Sequence, residues 1–393
     1  MQTKMIVKNG FKSGWFETES VRHMITGVVY CAAIALFSAQ AAAGPVLPLD
    51  ENSNSWIRVS AQGQLHYSYV GSAADKADFF LRRGRIILDG QLVDGVTFYT
   101  FTDIPNEGKS GTAASAIVQE AWMDFSLLGR HSIVGVDPEV SWIGDQGVRA
   151  GLILLPFSFE VRSSSSKTLG VDVNGEVIKM VNSLNSRDNG AELHGNFGPY
   201  VSYIAGVFDG YDATGSTKNP NAPLRTTGHI AVNLLGRAET GTAYTEERLN
   251  DDNFVSLGVG VDRQDRASFV PASTNSTTHE AIAAHERDSK NWVVDLEAGC
   301  KLGLINLTVN GGYYNWDNSA FKGTTWFVED GIRYIRTQLC TKYTMQDPDN
   351  GRKLGDYTVG LNYFLKGHNA RVGVEYRWGD SPHQVLGGLQ FLL

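Results

Sequence analysis

The sequence predicts an all-β protein, a transmembrane antiparallel β-barrel of about sixteen strands with short turns at its periplasmic end and long extracellular loops. The first observation is strict alternation from Ile57 to Tyr69, where odd positions are apolar or small and even positions are polar. The second is its length. Strands of soluble proteins are usually about five or six residues long, whereas a tilted transmembrane strand needs roughly nine to eleven. The third is an export signal before this strand.

The export signal is an apolar stretch from Ile25 to Phe37, behind Arg22 and before small residues with A-x-A cleavage options. Residues 1–43 are predicted to be a secretory signal peptide, residues 44–55 a short lead and residues 56–393 the barrel. The alternative is a membrane anchor, but the stretch is shorter than the roughly 20 residues of a spanning helix. Export without a later apolar helix indicates a barrel in the lipid bilayer of a Gram-negative outer membrane.

Composition agrees with this fold class. The chain has Gly 43, Tyr 15, Phe 18 and Trp 8 but Pro only 11, which suits many strands, tight turns and aromatic girdles. The formal net charge of −8 does not decide selectivity, because the field in a narrow pore is set by the few groups that line it. Cys300 and Cys340 lie in predicted strands separated by another strand, so both thiols are expected to be free. We expect no nucleic-acid partner.

The second predicted strand runs from Phe79 to Leu92, with Arg83 and Arg85 on the polar face. The same parity places Phe80 and Arg82 on the lipid face, where Arg82 would reach the interface by snorkelling. Further strands with alternation or apolar character are expected at Val96 to Ile104, Gln119 to Leu128, Val148 to Pro156, Ala191 to Phe197, Tyr200 to Phe208, His229 to Leu235, Phe254 to Val261, Trp292 to Leu302, Leu304 to Tyr314, Thr325 to Tyr343, Tyr357 to Leu365, Ala370 to Trp378 and Gln384 to Phe391. This is somewhat fewer than sixteen, and weak strand signals account for the shortfall. Asp209 to Thr227, Ala238 to Asn253 and Asp265 to Lys290 are expected to be long polar loops.

Positive charge is placed where it would favour anions. Residues 157–169, after the fifth predicted strand, form a polar segment that is expected to fold inward as a constriction loop. The candidates for the selectivity path are Arg58, Arg83, Arg85 and Arg149 on polar strand faces and Arg162 and Lys167 on this loop. The alternative is that these cations pair with Asp89, Glu120 and Asp124 and only brace the wall.

Other chemistry finds little support. His279-Glu280 and His285-Glu286 lack the i, i+4 spacing of a helical zinc site. Asp347 to Gly351 lacks the acidic ligand that closes a calcium loop and is better interpreted as a turn. No Ser/His motif of a barrel hydrolase is recognisable. The sequence therefore predicts no enzyme activity, no metal site and no cofactor.

Several segments in order resemble the phosphate-selective porin O and P family. They are Phe80 to Arg85, Gly151 to Phe157, Asp188 to Gly195, Tyr203 to Gly210 and Tyr357 to Val372. The resemblance implies a sixteen-stranded barrel, commonly a homotrimer, that passes small anions. There are two departures: Leu392 and Leu393 follow the terminal aromatic Phe391, and Gly129 to Gly147 is longer than the expected turn.

The predicted function is therefore an outer-membrane porin, a passive diffusion channel for small hydrophilic solutes, with anions such as phosphate ahead of cations. One alternative is a sheath barrel that docks other envelope proteins, such as a cytochrome electron conduit. A cation-preferring general porin is another.

Overall fold

The computed structural model describes residues 44–50, 54–72, 77–113, 115–129, 133, 143–181, 186–210, 217–218, 223–236, 243–249, 252–270, 273–274, 281–282, 285–318 and 321–393. The predicted signal peptide and the His279-Glu280 pair lie outside these ranges, as does most of the segment between Gly129 and Gly147. No helix among the described residues is long and apolar enough to cross a membrane.

The architecture is a closed antiparallel barrel of sixteen strands, which confirms the predicted fold class. Each strand pairs with the next along the chain, and the last pairs with the first from Gln62↔Leu392 to Val70↔Gln384. The strands are β1 Trp56–Val70, β2 Ala77–Val93, β3 Val96–Glu107, β4 Ile117–Leu128, β5 Gln146–Leu154, β6 Arg187–Phe197, β7 Val201–Phe208, β8 Arg225–Leu235, β9 Phe254–Val270, β10 His285–Leu302, β11 Ile305–Asp317, β12 Lys322–Tyr334, β13 Thr337–Pro348, β14 Leu354–Phe364, β15 Ala370–Gly379 and β16 Gln384–Leu392.

Short elements complete the described chain. Val46–Pro48 pairs with β1, Thr217–Lys218 pairs with β9, and Ser273–Thr274 pairs with Ala281–Ile282. Helix α1 (Gly175–Ile178) is capped by the Asn174 side chain, which accepts from the Glu176 N–H, and a 3₁₀ turn (Lys179–Val181) follows it. Both lie on the connection between β5 and β6.

Two predicted boundaries are wrong. The segment from Thr325 to Tyr343 is not one strand but two, because the chain turns at Ile335 and Arg336, with Ile335 at φ 55°. This division supplies the strand that the sequence count lacked. The polar stretch from Asp265 to Lys290 is also partly strand, since β9 continues to Val270 and β10 begins at His285. The local sequence there lacks an apolar face because these ends extend past the apolar belt.

The predicted alternation of β1 corresponds to two different environments. Gln62, Gln64 and His66 point into the lumen and are buried, whereas Val59 is exposed on the outside. Outward apolar side chains form a belt around the barrel, among them Ile86, Leu88, Ile230, Val232, Val259, Val261, Val294, Val328, Ile332, Leu339 and Leu361. An aromatic row borders the belt, with ring centroids 5.1 Å apart for Trp326–Tyr343 and 4.5 Å apart for Tyr343–Tyr357. Such a belt with aromatic girdles is typical of a membrane-spanning barrel.

A β-bulge at Arg82 overturns the predicted parity of β2. Gln64 pairs with Arg83 and Leu65 pairs with Leu81, so Arg82 is the extra residue. A bulge shifts the side-chain alternation by one position. As a result Arg82 and Phe80 lie on the lumen side instead of the lipid side, and the predicted snorkelling of Arg82 is wrong.

The two cysteines form no disulfide. Cys340 is buried on β13, and Cys300 is half-buried on β10. Two strands separate them in the sheet, one more than predicted, because β12 and β13 are distinct.

Candidate channel constriction

The connection between β5 and β6, residues 155–186, enters the lumen; we call it the lumen loop, and it contains the predicted constriction segment. It is described from Leu155 to Val181 and at Ser186. On one side the Phe159 N–H donates to Asp295 of β10 at 2.8 Å. On the other side Arg371 of β15 donates to the Thr168 carbonyl at 2.6 Å. The lumen loop therefore reaches opposite walls of the barrel.

An apolar cluster fixes the two ends of the lumen loop to the wall. Burial of apolar area is the main stabilising contribution here, at roughly 25 cal/mol per Å². From the loop the cluster takes Leu155, Phe157, Val161, Val177, Met180 and Val181, and from the strands Ile153, Phe208, Val293, Tyr314, Trp316 and Phe327. The backbone also packs tightly, because a Cβ added to Gly260 of β9 would lie 1.8 Å from the Phe157 carbonyl oxygen. On this side of the barrel the lumen is therefore filled by closely packed side chains.

The middle of the lumen loop crosses to the other wall through polar contacts. Wall amides bind its carbonyl groups: Gln64 donates to Ser165 at 2.8 Å, Gln390 to Ser166 at 2.8 Å and Asn362 to Leu169 at 2.7 Å. Buried backbone carbonyls need such partners. The Gln and Asn residues on polar strand faces thus position the loop.

Asp172 binds the two consecutive arginines of the bulge. Arg82 Nε lies 2.7 Å and Arg83 Nη2 2.8 Å from its carboxylate oxygens. Burial favours the protonated carboxyl, but the two guanidinium charges outweigh it and hold the pKa of Asp172 well below its usual range. Asp172 is therefore charged at neutral pH and ties the loop to β2.

A second segment, residues 243–249 between β8 and β9, enters the lumen from the opposite end of the barrel; we call it the opposing segment. In an antiparallel barrel β5 and β8 run in opposite directions, so their following loops lie at opposite ends. The two insertions meet in a parallel bridge between Ser163 and Tyr244. The Tyr244 N–H donates to the Arg162 carbonyl, and the Ser164 N–H donates to the Tyr244 carbonyl, both at 2.8 Å.

The opposing segment is held by buried charges. The Glu247 carboxylate is fully buried and accepts from Arg333 Nε at 3.0 Å and from the Thr308 hydroxyl at 3.2 Å. The next residue, Arg248, pairs with Glu297 at 2.9 Å. The Glu247 carbonyl accepts from His368 Nε2 at 2.7 Å. These contacts place the segment between the lumen loop and β10–β14.

Five of the six predicted selectivity residues form ion pairs. Arg58 pairs with Asp89 at 2.6 Å, Arg83 with Asp172 at 2.8 Å, Arg85 with Asp103 at 3.1 Å, Arg149 with Asp124 at 2.6 Å and Arg162 with Glu192 at 3.1 Å. Glu120 pairs with Arg187 instead of a predicted cation. Lys167 is half-buried and forms no ion pair with the described residues. The pairing partners Asp89 and Asp124 are those that the wall-bracing alternative named.

A cleft of about 310 Å³ remains between the lumen loop at residues 172–176 and the wall of β1, β2 and β13–β16. It is lined by four cations, Arg82, Lys109, Lys342 and Arg377, and by four carboxylates, Asp172, Glu176, Asp356 and Glu375. A hydrated solute that enters here meets charged groups on every side.

Sequence reasoning missed several of these groups. It ended the constriction segment at Leu169, three residues before Asp172, and it assigned no role to Lys109 or Arg377. The opposing segment lay in a polar stretch that carried no strand or turn signal. Its one distinguishing feature is the acidic pair Glu246-Glu247 beside an aromatic residue, Tyr244.

Comparison with known proteins supports this architecture at the level of fold. No protein-family model matches the sequence, and no curated protein matches it. The outer membrane channel DcaP of Acinetobacter baumannii superposes with a TM-score of 0.53 and 12% identity, covering 90% of this chain and 100% of that chain. A mutant Rh. blastica porin superposes with a TM-score of 0.51 and 14% identity, covering 86% of this chain and 100% of that chain. The trimer form of OmpT, an outer membrane protein of Vibrio cholerae, superposes with a TM-score of 0.51 and 13% identity, covering 86% of this chain and 99% of that chain.

The chain has the fold of the outer-membrane porins. The closed barrel of sixteen strands and the outward apolar belt place the protein in the Gram-negative outer membrane.

Proposed function

We propose that the protein is a porin through which small hydrophilic solutes diffuse passively, with small anions such as phosphate ahead of cations. The observation that carries the proposal is the charged cleft beside Asp172, between the lumen loop and the wall of β13–β16, through which we propose that the solute passes. Flux would follow the concentration gradient, and the proposal involves no chemical step and no cofactor.

We expect the cleft to favour anions, because its carboxylates already have hydrogen-bond donors. Each carboxylate already accepts from a donor: Asp172 from Arg82, Glu375 from the Val171 N–H, Asp356 from the Ser381 N–H, and Glu176 from Lys179. A carboxylate with bound donors attracts a passing cation less strongly.

Two of the four cations of the cleft, Lys109 and Arg377, are less neutralised than Arg82 and Lys342, which have carboxylate partners at 2.7 and 3.1 Å. Lys109 Nζ stands 5.0 Å from the Phe80 ring centroid and forms no ion pair with the described residues. Arg377 lies 3.8 Å from Glu176. In a narrow passage where water screens poorly, these charges would attract an anion.

The six residues proposed from the sequence divide into two roles. Lys167, which lacks an ion pair within the described chain, is proposed to add to the positive potential of the path. Arg58, Arg83, Arg85, Arg149 and Arg162 are proposed to act mainly by holding carboxylates and the lumen loop in place. A homotrimer is also proposed, supported by the trimer form of the Vibrio cholerae protein that shares the fold.

The test is the zero-current potential of the purified protein in a planar bilayer under a potassium chloride gradient and then a potassium phosphate gradient. The expected result is anion selectivity that falls in Lys109→Gln, Lys167→Gln and Arg377→Gln. Lys353→Gln is the matched control, because the Lys353 side chain is 66% exposed and lies at the barrel rim. Cation selectivity would contradict the proposal. A folded barrel without conductance would favour the sheath alternative.

A further inference from the structure

Three carboxylates meet inside the barrel beside the lumen loop. One oxygen from each of Glu160, Glu246 and Glu329 lies within 4.8 Å of the others. The residues are 4%, 4% and 2% exposed. Glu160 belongs to the lumen loop, Glu246 to the opposing segment and Glu329 to β12. The cluster therefore joins three parts of the chain that are remote in sequence.

The spacing suits a common ligand ion. Calcium binds oxygen at about 2.3–2.6 Å, so two oxygens on one calcium ion are at most about 5 Å apart. Magnesium binds at about 2.0–2.1 Å and requires a near-ideal octahedron, which limits the separation to about 4 Å. Oxygens that all lie within 4.8 Å of one another satisfy the calcium limit, which is the wider of the two.

Two of the three carboxylates are oriented by a backbone N–H donor, and the third has a cation beside it. The Asn174 N–H donates to Glu160 Oε1 at 2.9 Å, and the Leu169 N–H donates to Glu246 Oε2 at 2.9 Å. Lys342 Nζ lies 3.1 Å from Glu329 Oε2, and it is the one cation of the described chain that pairs with the three carboxylates. Ionised, the cluster would hold three negative charges against one positive charge.

An independent observation comes from Asn310 of β11. Its Nδ2 donates to Glu329 Oε1 at 3.4 Å, which places the amide at the cluster, and the side chain is 5% exposed. Its Oδ1 is buried without a hydrogen-bond donor, as is Oε1 of Glu246. Buried acceptors without donors are costly and rare in native proteins. A bound cation is one partner that can satisfy such oxygens.

We propose that Glu160, Glu246 and Glu329, assisted by the Asn310 amide oxygen, bind one hard divalent cation, with Ca²⁺ the best fit. The ion links the lumen loop, the opposing segment and the β11–β12 wall, so it stabilises the meeting of the two insertions. This site goes beyond the proposed channel function, because passage along the cleft does not require it.

Isothermal titration of CaCl₂ into the chelator-treated protein in detergent tests the site. The expected result is one Ca²⁺ per chain, with affinity lowered at least roughly tenfold in Glu246→Gln and Glu329→Gln. Glu176→Gln is the control, because it removes the same charge from the same loop outside the cluster, and its affinity is expected to equal that of the wild type. MgCl₂ is expected to bind more weakly than CaCl₂.

Two results would overturn the site. One is a wild-type chain that takes up no Ca²⁺ at neutral pH, as expected if the cluster is neutralised by protons. The other is a folded Glu246→Gln variant with wild-type affinity. Folding is checked by the shift in gel mobility on heating. If the glutamine variants do not fold, Asn310→Ala retains all three carboxylates; weaker Ca²⁺ binding supports the site, and unchanged binding contradicts it.

Discussion

Arg82 Nε lies 2.7 Å from the Asp172 carboxylate, although strict alternation along β2 would direct Arg82 to the lipid. The bulge at Arg82 gives this residue and Arg83 the same side of the sheet. Two adjacent guanidinium groups can therefore bind one carboxylate of the lumen loop. A local irregularity of one strand thus fixes the position of the lumen loop, which begins three strands further along the barrel wall.

Asp172→Asn is expected to loosen the lumen loop. The change leaves Arg82 and Arg83 without their carboxylate. Loss of a buried partner costs about 3–5 kcal/mol, and the partial exposure of Asp172 reduces the expected cost to about 2 kcal/mol. Guanidinium-induced unfolding measures the stability, and single-channel conductance is expected to rise. Asp265→Asn is the control, since its pair with Arg263 is exposed and is worth less than about 1 kcal/mol. An unchanged stability and conductance would refute the anchoring role.

Glu247→Gln tests the anchor of the opposing segment. The glutamine keeps the size of the side chain but removes the charge that pairs with Arg333 in a buried site. We expect a loss of about 3 kcal/mol in unfolding free energy. The measurement is the denaturant midpoint, with Asp347→Asn at an exposed pair as the control. Equal losses in the two variants would mean that the segment is not held by this pair.

Gly260→Ala tests the close contact between the lumen loop and β9. The added Cβ would meet the Phe157 carbonyl oxygen at 1.8 Å, so the backbone of the loop has to move. Overpacking of this kind costs about 1–3 kcal/mol. We expect lower stability and altered conductance. Gly71→Ala, where the added Cβ has no neighbour closer than 3.9 Å and lies outside the cleft, should leave both unchanged. A neutral Gly260→Ala would show that the loop does not rest on this strand.

His368, on the turn between β14 and β15, is expected to make stability depend on pH. Burial, with the charge of Arg371, lowers the pKa of His368 to about 3. The unfolded chain binds a proton near pH 6.5 that the folded chain does not, so stability falls as pH decreases from 6.5 towards 3. The loss should approach about 1 kcal/mol per pH unit below pH 6.

Unfolding free energies of the wild type and His368→Gln between pH 7 and pH 5 measure this contribution. Glutamine can still donate to the Glu247 carbonyl, but it does not titrate. The variant should therefore show the shallower pH dependence. Identical slopes would place the titration elsewhere.

The sequence predicted the barrel well. Alternation along a strand of membrane-spanning length shows directly which side chains face the lipid and which face the lumen. The parity of β1 follows from Gln62, Gln64 and His66 alone. Which side chains of β2 before Arg82 face the lumen does not follow from the sequence. The bulge depends on the pairing of β2 with β1, and a polar residue faces the lumen whether or not the bulge is present. The turn at Ile335 was also hidden, since an apolar residue there interrupts no pattern.

The candidate site was less predictable than the fold. The positions of Arg83, Arg85 and Arg149 on the lumen side follow from alternation. Asp103 and Asp124, the partners of Arg85 and Arg149, stand opposite them on neighbouring strands. Asp172, the partner of Arg83, lies on the lumen loop and does not follow from the sequence, because loop insertion is decided by tertiary packing. The meeting of Ser163 with Tyr244 joins two polar stretches whose local sequences favour no structure.

Passage through the cleft beside Asp172 is tested most directly by a thiol-specific block. Thr358→Cys places a thiol in the cleft, in a background with Cys300→Ser and Cys340→Ser, and Thr337→Cys at the exposed first residue of β13 is the control. Single-channel current is recorded while a negatively charged methanethiosulfonate is added. The account predicts lower conductance and weaker anion preference for Thr358→Cys and no change for the control. Complete modification of Thr358→Cys with unchanged current would contradict it.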